Sequence, residues 1–314
     1  MKALWLDHGK LSQRELQSPH PDANEVLLEV ERAGVCGTDL ELLQGYAAFT
    51  GVPGHEFCAR VIEGPPELLG RRVTANINIG CGECARCRQG LAKHCSNRSV
   101  VGIRDHQGAF AEKLVLPAPN CLILPEELPV EYCTLAEPLA AALEIPDSVE
   151  IGDADRILIV GAGRLAVLIA LVLQTESSTV EVLARNPQRR ERLAHLGIDC
   201  VGVPDGQYDI VVEVTGSPEG FSMALEATRP RGTLVMKSTY AKHINLDASR
   251  VVVDEVRLVG SRCGPMEKAV AWLAEGRLAL SPLTFETFPL SGFEEAFSAA
   301  RSADVYKVLF DPRA

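Results

Sequence analysis

Apolar strands and helices alternate through the middle of this 314-residue chain, and this alternation limits the possible folds more than any other feature. Arg156–Val160 reads as a continuous apolar strand, which a glycine-rich turn and an apolar helix over residues 165–173 follow. The same alternation continues with predicted strands at 180–183, 209–213 and 233–236 and predicted helices at Pro187–His195 and 219–227. Strands that alternate with helices predict a parallel, doubly wound sheet, and strands this apolar are covered on both faces.

The segments on either side of this region have a different character. Before it, short strand-like runs at 26–30, Arg72–Ala75 and 113–116 are interrupted by glycine and proline, which indicates a β-rich region. After it, the pattern predicts helices at 267–275 and Phe293–Arg301 and a closing strand at 305–310. At ~150 residues per domain, the length of the chain suits two domains.

Charge and hydropathy exclude several classes of partner. The formal net charge of −11 argues against a nucleic-acid partner, which would require a basic surface. The longest apolar run, 165–173, is far shorter than the roughly 18 residues that a membrane-spanning helix needs. The first residues lack the apolar core and the cleavage site of a signal peptide. We therefore expect a cytoplasmic protein with neither a membrane nor a nucleic-acid partner.

The turn after the first apolar strand reads Gly161-Ala-Gly163-Arg-Leu165-Ala166, a Gly-x-Gly-x-x-Ala motif. Alone the motif is weak evidence, but here it follows an apolar strand and opens an apolar helix, as in dinucleotide sites. Gly161 permits the tight turn, Gly163 lets the backbone approach a pyrophosphate at the helix N-terminus, and Ala166 permits close packing of helix on sheet. The sequence therefore predicts a dinucleotide site that includes Gly161, Gly163 and Leu165.

The end of the second predicted strand indicates which dinucleotide binds. An NAD site carries an acidic residue there, ~20 residues after the glycine motif, to bind the ribose 2′-hydroxyl. Here the chain reads Ala184-Arg185-Asn186, with Arg189 and Arg190 close behind. The missing acid and the added cations favour the 2′-phosphate of NADP over NAD. The alternative is that Arg189 and Arg190 are solvent-facing charges of a helix.

Four cysteines, Cys81, Cys84, Cys87 and Cys95, lie in one short loop. Two residues separate each of the first three, and seven separate the third from the fourth. This spacing suits four thiolates arranged as a tetrahedron around a structural zinc. Such a site has no open position, so it supports folding and performs no chemistry. The alternative is a cysteine-rich loop without metal.

A second set of metal-ligating residue types flanks this loop. Cys36 offers a thiolate, His55 and Glu56 offer an imidazole and a carboxylate, and Glu137 offers another carboxylate just before the dinucleotide unit. Each alone is more often a core cysteine or a structural His–Glu pair. Together they predict a catalytic zinc with three protein ligands and one open position, which lowers the pKa of a bound alcohol and polarises a carbonyl.

The order of these motifs resembles that of the zinc-dependent medium-chain dehydrogenases, which include alcohol, sorbitol, threonine and glucose dehydrogenases. The resemblance extends over nearly the whole chain, through Cys-Gly-Thr-Asp at 36–39, Gly-His-Glu at 54–56, the four-cysteine loop, Gly-Ala-Phe-Ala-Glu at 108–112, Glu-Pro-Leu at 137–139 and Lys-Val-Leu-Phe at 307–310. It implies that Cys36 and His55 bind zinc, with either Glu56 or Glu137 as the third protein ligand at any moment.

The same resemblance gives roles to residues that the motifs alone leave open. Thr38 matches a hydroxyl that passes the substrate proton towards solvent, and Glu41 stands where the family often has a histidine that completes this relay. The alternative for Thr38 is that it caps the helix that follows. Thr215 and Gly216 match the family's adenosine-side loop, and Lys307 matches a basic residue on the pyrophosphate.

The resemblance implies an α/β fold with two domains. A GroES-like, β-rich catalytic domain comprises residues 1–138 and 265–314, and a Rossmann domain with a doubly wound parallel sheet comprises residues 139–264. The implied function is a zinc-dependent oxidoreductase that transfers hydride between NAD(P), with NADP favoured, and a secondary alcohol, polyol or sugar hydroxyl. We expect one catalytic and one structural zinc per chain, and a homodimer or homotetramer. The alternatives are a non-catalytic sensor that binds zinc and dinucleotide, and a zinc-free reductase of the quinone type, against which the Cys36, His55 and Glu137 set speaks.

Overall fold

The computed structural model of the chain describes residues 1–240, 243–302 and 305–314. These residues divide into two compact units. Unit 1 comprises Met1–Glu137, Met266–Gly276 and Leu283–Ala314, and unit 2 comprises Pro138–Pro265 and Arg277–Pro282. Among the helices of the described ranges, none combines the length and the apolar character that crossing a membrane would require.

The described residues form strands and α-helices that are numbered in chain order. The strands are β1 (Lys2–Asp7), β2 (Lys10–Glu15), β3 (Glu25–Gly34), β4 (Glu56–Glu63), β5 (Arg72–Ala75), β6 (Asn78–Ile79), β7 (Ser99–Val100), β8 (Lys113–Pro117), β9 (Cys121–Ile123), β10 (Arg156–Val160), β11 (Thr179–Leu183), β12 (Asp199–Val201), β13 (Tyr208–Glu213), β14 (Thr228–Met236), β15 (Arg257–Gly260), β16 (Phe285–Pro289) and β17 (Lys307–Asp311). The α-helices are α1 (Gly37–Leu42), α2 (Ala85–Arg88), α3 (Val130–Cys133), α4 (Ala136–Ser148), α5 (Arg164–Leu173), α6 (Pro187–His195), α7 (Pro218–Ala227), α8 (Ala248–Val253), α9 (Met266–Ala274) and α10 (Phe293–Arg301).

Unit 1 is built on a seven-stranded sheet in the order β16-β17-β3-β4-β5-β9, with β8 paired to β3. The long strand β3 lies at its centre, where Val26, Leu28 and Val30 are fully buried and where β4 and β8 pair antiparallel with it. β17, from the far end of the chain, also pairs antiparallel with β3. Phe310 of β17 thereby reaches the core, and its ring meets that of Phe110 edge-on at 4.9 Å. The early and late parts of the chain therefore share one sheet.

Unit 2 contains a six-stranded parallel sheet in the order β12-β11-β10-β13-β14-β15. In β10 the four residues after Arg156 are all buried, as expected for a strand that is covered on both faces. The chain adds strands first on one side of β10 and then on the other, so the strand order reverses between β10 and β13. Doubly wound folds bind ligands at the carboxyl ends of the strands at such a reversal. The predicted α/β class with a doubly wound parallel sheet is confirmed.

The predicted elements overlap those observed, and their ends differ where the apolar pattern stops. β10, α6 and α10 have the predicted bounds. β14 begins at Thr228, before the predicted start at 233, because Thr228 already pairs with Tyr208 of β13. The arginines, proline and glycine at 229–232 lie at an irregularity of this pairing and give no apolar signal. The closing strand begins at Lys307 and not at 305.

Candidate active site

The four cysteines between 81 and 95 lie close enough together to share one metal ion. Cys81 Sγ and Cys87 Sγ are 4.0 Å apart, and Cys84 Sγ and Cys95 Sγ are 3.8 Å apart. A tetrahedral site with metal–sulfur bonds of ~2.3 Å places its sulfurs about 3.8 Å apart. The separations of the sulfur atoms therefore fit a zinc ion with a closed shell of four thiolates.

Backbone N–H groups that point at two of these sulfurs favour their thiolate form. Cys87 N donates to Cys84 Sγ and Cys81 N donates to Cys95 Sγ, both at 3.5 Å. These bonds lower the pKa of Cys84 and the pKa of Cys95, whereas desolvation raises the pKa of Cys87 to about 12. Thiolates are the form that binds zinc, so two of the four ligands are already favoured for it.

A second metal-ligating cluster, which we call the Cys–His–Glu cluster, consists of Cys36, His55 and Glu56, whose ligand atoms lie within 4.8 Å of one another. Cys36 is the N-cap of α1 just after β3, and His55 and Glu56 stand at the start of β4. Gly54 turns the chain into β4 with a φ of +97°, and a Cβ there would lie 2.5 Å from the Phe110 ring. Pairing of β3 with β4 therefore brings the three ligands together.

Asp39, which the sequence motifs leave without a role, holds both Cys36 and His55. Its side chain is almost fully buried. Its Oδ2 accepts a hydrogen bond from Cys36 N at 2.8 Å, and its Oδ1 lies 3.5 Å from His55 Nδ1. A carboxylate beside one ring nitrogen fixes the histidine tautomer that leaves the other nitrogen for a metal. The available signal is an acid three residues after a helix N-cap, which can bond back to the N-cap amide.

Glu56 also faces a buried cation. Lys307 forms an ion pair with Glu56 Oε2, and the two side chains are 3% and 1% exposed. Gly34 makes room for this pair, because a Cβ there would lie 2.6 Å from Lys307 Cε and 3.1 Å from Glu56 Oε2. The sequence predicts Lys307 as a pyrophosphate contact, and that role stays a prediction. In unit 1 its ammonium and a bound metal would compete for one carboxylate.

Burial and charge act in opposite directions on protonation of the Cys–His–Glu cluster. Burial raises the pKa of Cys36 and the Glu56 carboxylate adds to this, while His55 and Lys307 lower it. Burial lowers the pKa of His55, but Asp39 and Cys36 outweigh it and hold that pKa well above its ordinary value. A divalent cation reverses this balance, because it favours the thiolate and the neutral imidazole that bind it. The half-buried thiol of Cys36 and the buried imidazole and carboxylate of His55 and Glu56 lie close together and form a donor set that fits zinc.

Thr38 lies beside this cluster, whereas Glu137 lies outside it. Thr38 Oγ1 lies 3.9 Å from Cys36 Sγ. The alternative that Thr38 caps the helix is wrong, because Cys36 is the N-cap of α1 and Asp39 bonds back to it. Glu137 is half-buried in the first turn of α4, and among the described residues its carboxylate is outside the group of ligand atoms within 4.8 Å. Glu56 is therefore the carboxylate within reach of the cluster.

In unit 2 the glycine motif forms the turn between β10 and α5. Gly161 has a φ of +121°, and a Cβ there would lie 3.0 Å from Thr215 Cγ2, so the turn passes close to the end of β13. Gly163 is the N-cap of α5, and a Cβ there would meet nothing within 4 Å. Leu165 is half-buried and Ala166 is fully buried. The N-terminus of α5 thus has the open approach that a pyrophosphate needs.

The residues predicted to select between NAD and NADP lie at the end of β11. Ala184 is buried, Arg185 is exposed, and Asn186 caps α6 with its side chain. Arg190 Nε donates to the Ala184 carbonyl at 2.5 Å. The Arg190 guanidinium also covers Gly202, just after β12, where a Cβ would overlap Nη2. Arg190 is therefore exposed but bonded to Ala184 at the end of β11, and its guanidinium lies close to Gly202 after β12.

Thr215 and Gly216 form the turn that follows β13. Glu213, the last residue of β13, is fully buried, and its carboxylate accepts hydrogen bonds from both residues of the turn. In the sequence Glu213 is only the end of a predicted strand. The signal that could have marked it is an acid at the end of an apolar strand, directly before a turn with glycine.

Comparison with known protein families assigns both units. Residues 22–126 match the alcohol dehydrogenase GroES-like domain, and residues 161–275 match the zinc-binding dehydrogenase model. The chain is 30% identical over 331 aligned residues to L-threonine 3-dehydrogenase of Pyrococcus abyssi (strain GE5 / Orsay), with 94% of this chain and 93% of that protein covered.

Solved structures share the complete fold. A provisionally assigned zinc-binding dehydrogenase from Sinorhizobium meliloti 1021, bound to NADP, matches with a TM-score of 0.90 and 26% identity over 99% of both chains. Alcohol dehydrogenase TADH from Thermus sp. ATN1 matches with a TM-score of 0.87 and 25% identity, also over 99% of both chains. The chain therefore belongs to the zinc-dependent medium-chain dehydrogenases. It is a dehydrogenase, as the order of its motifs predicts, and these relatives favour neither the sensor nor the zinc-free reductase.

Proposed function

We propose that this dehydrogenase interconverts a secondary alcohol, such as a polyol or sugar hydroxyl, and the corresponding carbonyl with NAD(P), using one catalytic and one structural zinc. The observation that carries the proposal is the Cys–His–Glu cluster, in which a thiol, an imidazole and a carboxylate approach within 4.8 Å. The relative from Pyrococcus abyssi supports the substrate class, because the hydroxyl of L-threonine is a secondary alcohol. The four sulfur atoms of the loop at 81–95 support the second zinc.

The catalytic zinc would be held by Cys36, His55 and a carboxylate, with Glu56 in reach and Glu137 as the alternative. When bound, zinc polarises the oxygen of the alcohol and the oxidised dinucleotide accepts hydride, so that the alcohol becomes a carbonyl with release of one proton. Asp39 keeps the His55 ring in the orientation that binding requires.

The residues around the cluster manage protons and charge. Thr38, whose hydroxyl lies 3.9 Å from Cys36 Sγ, takes the proton of the substrate hydroxyl and passes it on. Glu41 is three residues further along α1, hence on the same helix face, and burial raises its pKa, so it is a suitable next acceptor. Lys307 neutralises Glu56 whenever that carboxylate is not a zinc ligand, because a buried charge without a partner is strongly unfavourable.

We propose NADP as the preferred dinucleotide. β11 ends without an acid at Ala184, and the exposed Arg185 follows it. Arg190 brings a second cation to the same strand ends, since its guanidinium lies over Gly202. Two cations suit a 2′-phosphate, whereas an NAD site carries an acid for the 2′-hydroxyl. The structure from Sinorhizobium meliloti, which holds NADP, supports this preference.

The remaining proposals concern organisation. The two compact units support a division into a catalytic domain (residues 1–138 and 265–314) and a dinucleotide domain (residues 139–264). From the resemblance we further propose a homodimer or homotetramer, which light scattering can distinguish. From the sequence we also propose a cytoplasmic location.

The test of the function is the near-ultraviolet absorbance of reduced nicotinamide. Zinc-loaded protein is mixed with alcohols, polyols and sugars, each with NADP and with NAD, and we expect growth of the signal with one substrate class and faster growth with NADP. Cys36→Ser should abolish turnover while dinucleotide binding persists. Its matched control, Cys121→Ser, changes a half-buried thiol of β9 and should leave turnover unchanged. Turnover retained by Cys36→Ser, or none across the panel with dinucleotide bound, would contradict the proposal.

A further inference from the structure

We infer that Glu213 is a positioning residue for the dinucleotide, a buried carboxylate that fixes two cofactor loops without touching the cofactor. The inference rests on the dinucleotide site proposed above, and it concerns a residue outside the glycine motif. Glu213 has no solvent exposure and ends β13, one of the two strands at the reversal of the strand order. Both oxygens of its carboxylate are engaged, each by a different loop.

One carboxylate oxygen organises the turn after β13. Glu213 Oε1 accepts hydrogen bonds from Thr215 N and Thr215 Oγ1, both at 2.6 Å, and from Gly216 N at 3.1 Å. Two successive backbone N–H groups that converge on one anion form a concave anion site, called a nest. Gly216 supplies the left-handed backbone that this needs, with a φ of +69°. The chain therefore fills its own nest with a carboxylate.

Thr215 connects the turn after β13 to the glycine turn after β10. Its Oγ1 accepts from Ser217 N at 3.1 Å, and Ser217 Oγ in turn caps α7 by accepting from Gly220 N at 3.0 Å. Gly220 makes room for this arrangement, because a Cβ there would overlap Thr215 Oγ1. The methyl group of Thr215 is the atom nearest to a Cβ built at Gly161, at 3.0 Å. Glu213 therefore sets how closely the turn after β13 approaches the turn after β10.

The other carboxylate oxygen holds the loop after β14. Glu213 Oε2 accepts a hydrogen bond from the Tyr240 hydroxyl. The Tyr240 ring is held as well, edge-on against Phe221 of α7 at 6.3 Å. Burial and the bond to Glu213 raise the pKa of Tyr240, so its hydroxyl remains a donor. One carboxylate thus joins the loops at the carboxyl ends of two neighbouring strands, β13 and β14.

A buried carboxylate is a poor choice if stability alone decides. An apolar side chain of similar volume often stabilises a fold as well as a buried charge does, or better. Burial of a charge costs free energy unless all of its hydrogen bonds are made. What the carboxylate adds is a fixed position for two loops at the strand-order reversal, where such sheets hold a dinucleotide. The fold consists of two mononucleotide-binding halves, and β13 and β14 belong to the second half. The turn after β13 adjoins the glycine turn at Gly161, whereas β14 lies one strand further into the second half, so the Tyr240 bond concerns the nicotinamide half of the cofactor.

The test uses calorimetric titration of NADPH and NADH, and of ADP-ribose and 2′-phospho-ADP-ribose, which lack the nicotinamide. Tyr240→Phe removes only the bond to Oε2, so we expect about tenfold weaker binding of the better reduced dinucleotide and unchanged binding of the fragments. Glu213→Ala releases both loops, so it should weaken the binding of the dinucleotides and the binding of the fragments alike. Tyr208→Phe is the control, because it removes a hydroxyl at the opposite end of β13, where Asp205 N donates to it at 3.4 Å.

Two results would overturn the inference while the dinucleotide site itself stands. One is binding of NADPH and NADH by Tyr240→Phe within twofold of the unsubstituted protein. The other is an equal loss of affinity in Tyr208→Phe, which would mean that any lost hydroxyl in this sheet has the same effect. If the unsubstituted protein binds neither NADPH nor NADH, the proposed function fails and the inference fails with it.

Discussion

Replacement of Lys307 by methionine isolates the buried ion pair beside the candidate zinc ligands. Methionine keeps much of the aliphatic chain that lies against Gly34, but it removes the ammonium from Glu56. With only 3% and 1% of the two side chains exposed, water cannot replace the lost partner. Breaking a buried pair in this way costs about 3–5 kcal/mol. We therefore expect the free energy of unfolding of unit 1 to fall by about 3–5 kcal/mol when no cation is bound at the cluster.

Guanidinium chloride denaturation followed by tryptophan fluorescence measures this change in the correct unit. Both tryptophans, Trp5 and Trp272, belong to unit 1. The double variant Lys307→Met/Glu56→Gln leaves no charge behind, so it should be about 2 kcal/mol more stable than the sum of the two single effects predicts. Saturating zinc should also reduce the loss of stability in Lys307→Met, because the metal provides Glu56 with a cation in place of the missing ammonium.

Lys113→Met is the matched control for the loss of a lysine. Lys113 is half-buried on β8, which pairs with the same central strand as β17. We expect its replacement to change the free energy of unfolding by less than about 0.5 kcal/mol. Two results would refute the view that the buried Glu56 carboxylate needs Lys307 as its partner. One is a fall of less than about 1 kcal/mol in the free energy of unfolding for Lys307→Met. The other is additivity of the effects of Lys307→Met and Glu56→Gln.

Three further predictions concern the metal and cofactor sites. Cys84→Ser should lower the zinc content by one ion per chain in metal analysis, with a lower melting temperature, because the proposed closed site loses a ligand; an unchanged zinc content would contradict the assignment. Asp39→Asn should weaken zinc binding roughly 10–100-fold in competition with a chelating dye, since an amide has one acceptor oxygen where the carboxylate has two, and equal affinity would remove Asp39 from the site. Gly202→Val should displace the Arg190 guanidinium and lower the ratio of kcat/KM for NADP to that for NAD about tenfold, whereas equal losses with both cofactors would mean a general disturbance.

Local signals made much of the fold predictable from the sequence. β10 is a run of consecutive apolar residues, and α6 begins with an asparagine cap and a proline, so both have the predicted bounds. The four-cysteine loop is local as well, since its ligands are close along the chain. β12 is only three residues long and β2 is polar, and neither provides a periodic pattern from which a strand could be predicted.

The parts that could not be predicted depend on contacts between distant segments. Cys36 and His55, the candidate zinc ligands, meet because β3 pairs with β4. The sequence linked them in advance only by residue type and by the resemblance to a family. Lys307 and Glu56 are 251 positions apart, and they meet because β17 pairs with β3. Glu213 lies beside its turn in sequence, but its bond to Tyr240 depends on the neighbouring strand. Spacing along the chain contains no information on such a bond.

The late position of β17 has a consequence for biosynthesis. A ribosome that adds ~5–20 residues per second needs roughly 13–50 s to proceed from Glu56 to Lys307. During that interval the ribosome synthesises unit 2, which is continuous apart from Arg277–Pro282. The end of β3 at Ala33 and Gly34 meanwhile lacks the partner that β17 will provide, and Glu56 has no ammonium beside it. A divalent cation held by Cys36, His55 and Glu56 would supply, during this interval, the positive charge that Lys307 places beside Glu56 in the finished protein.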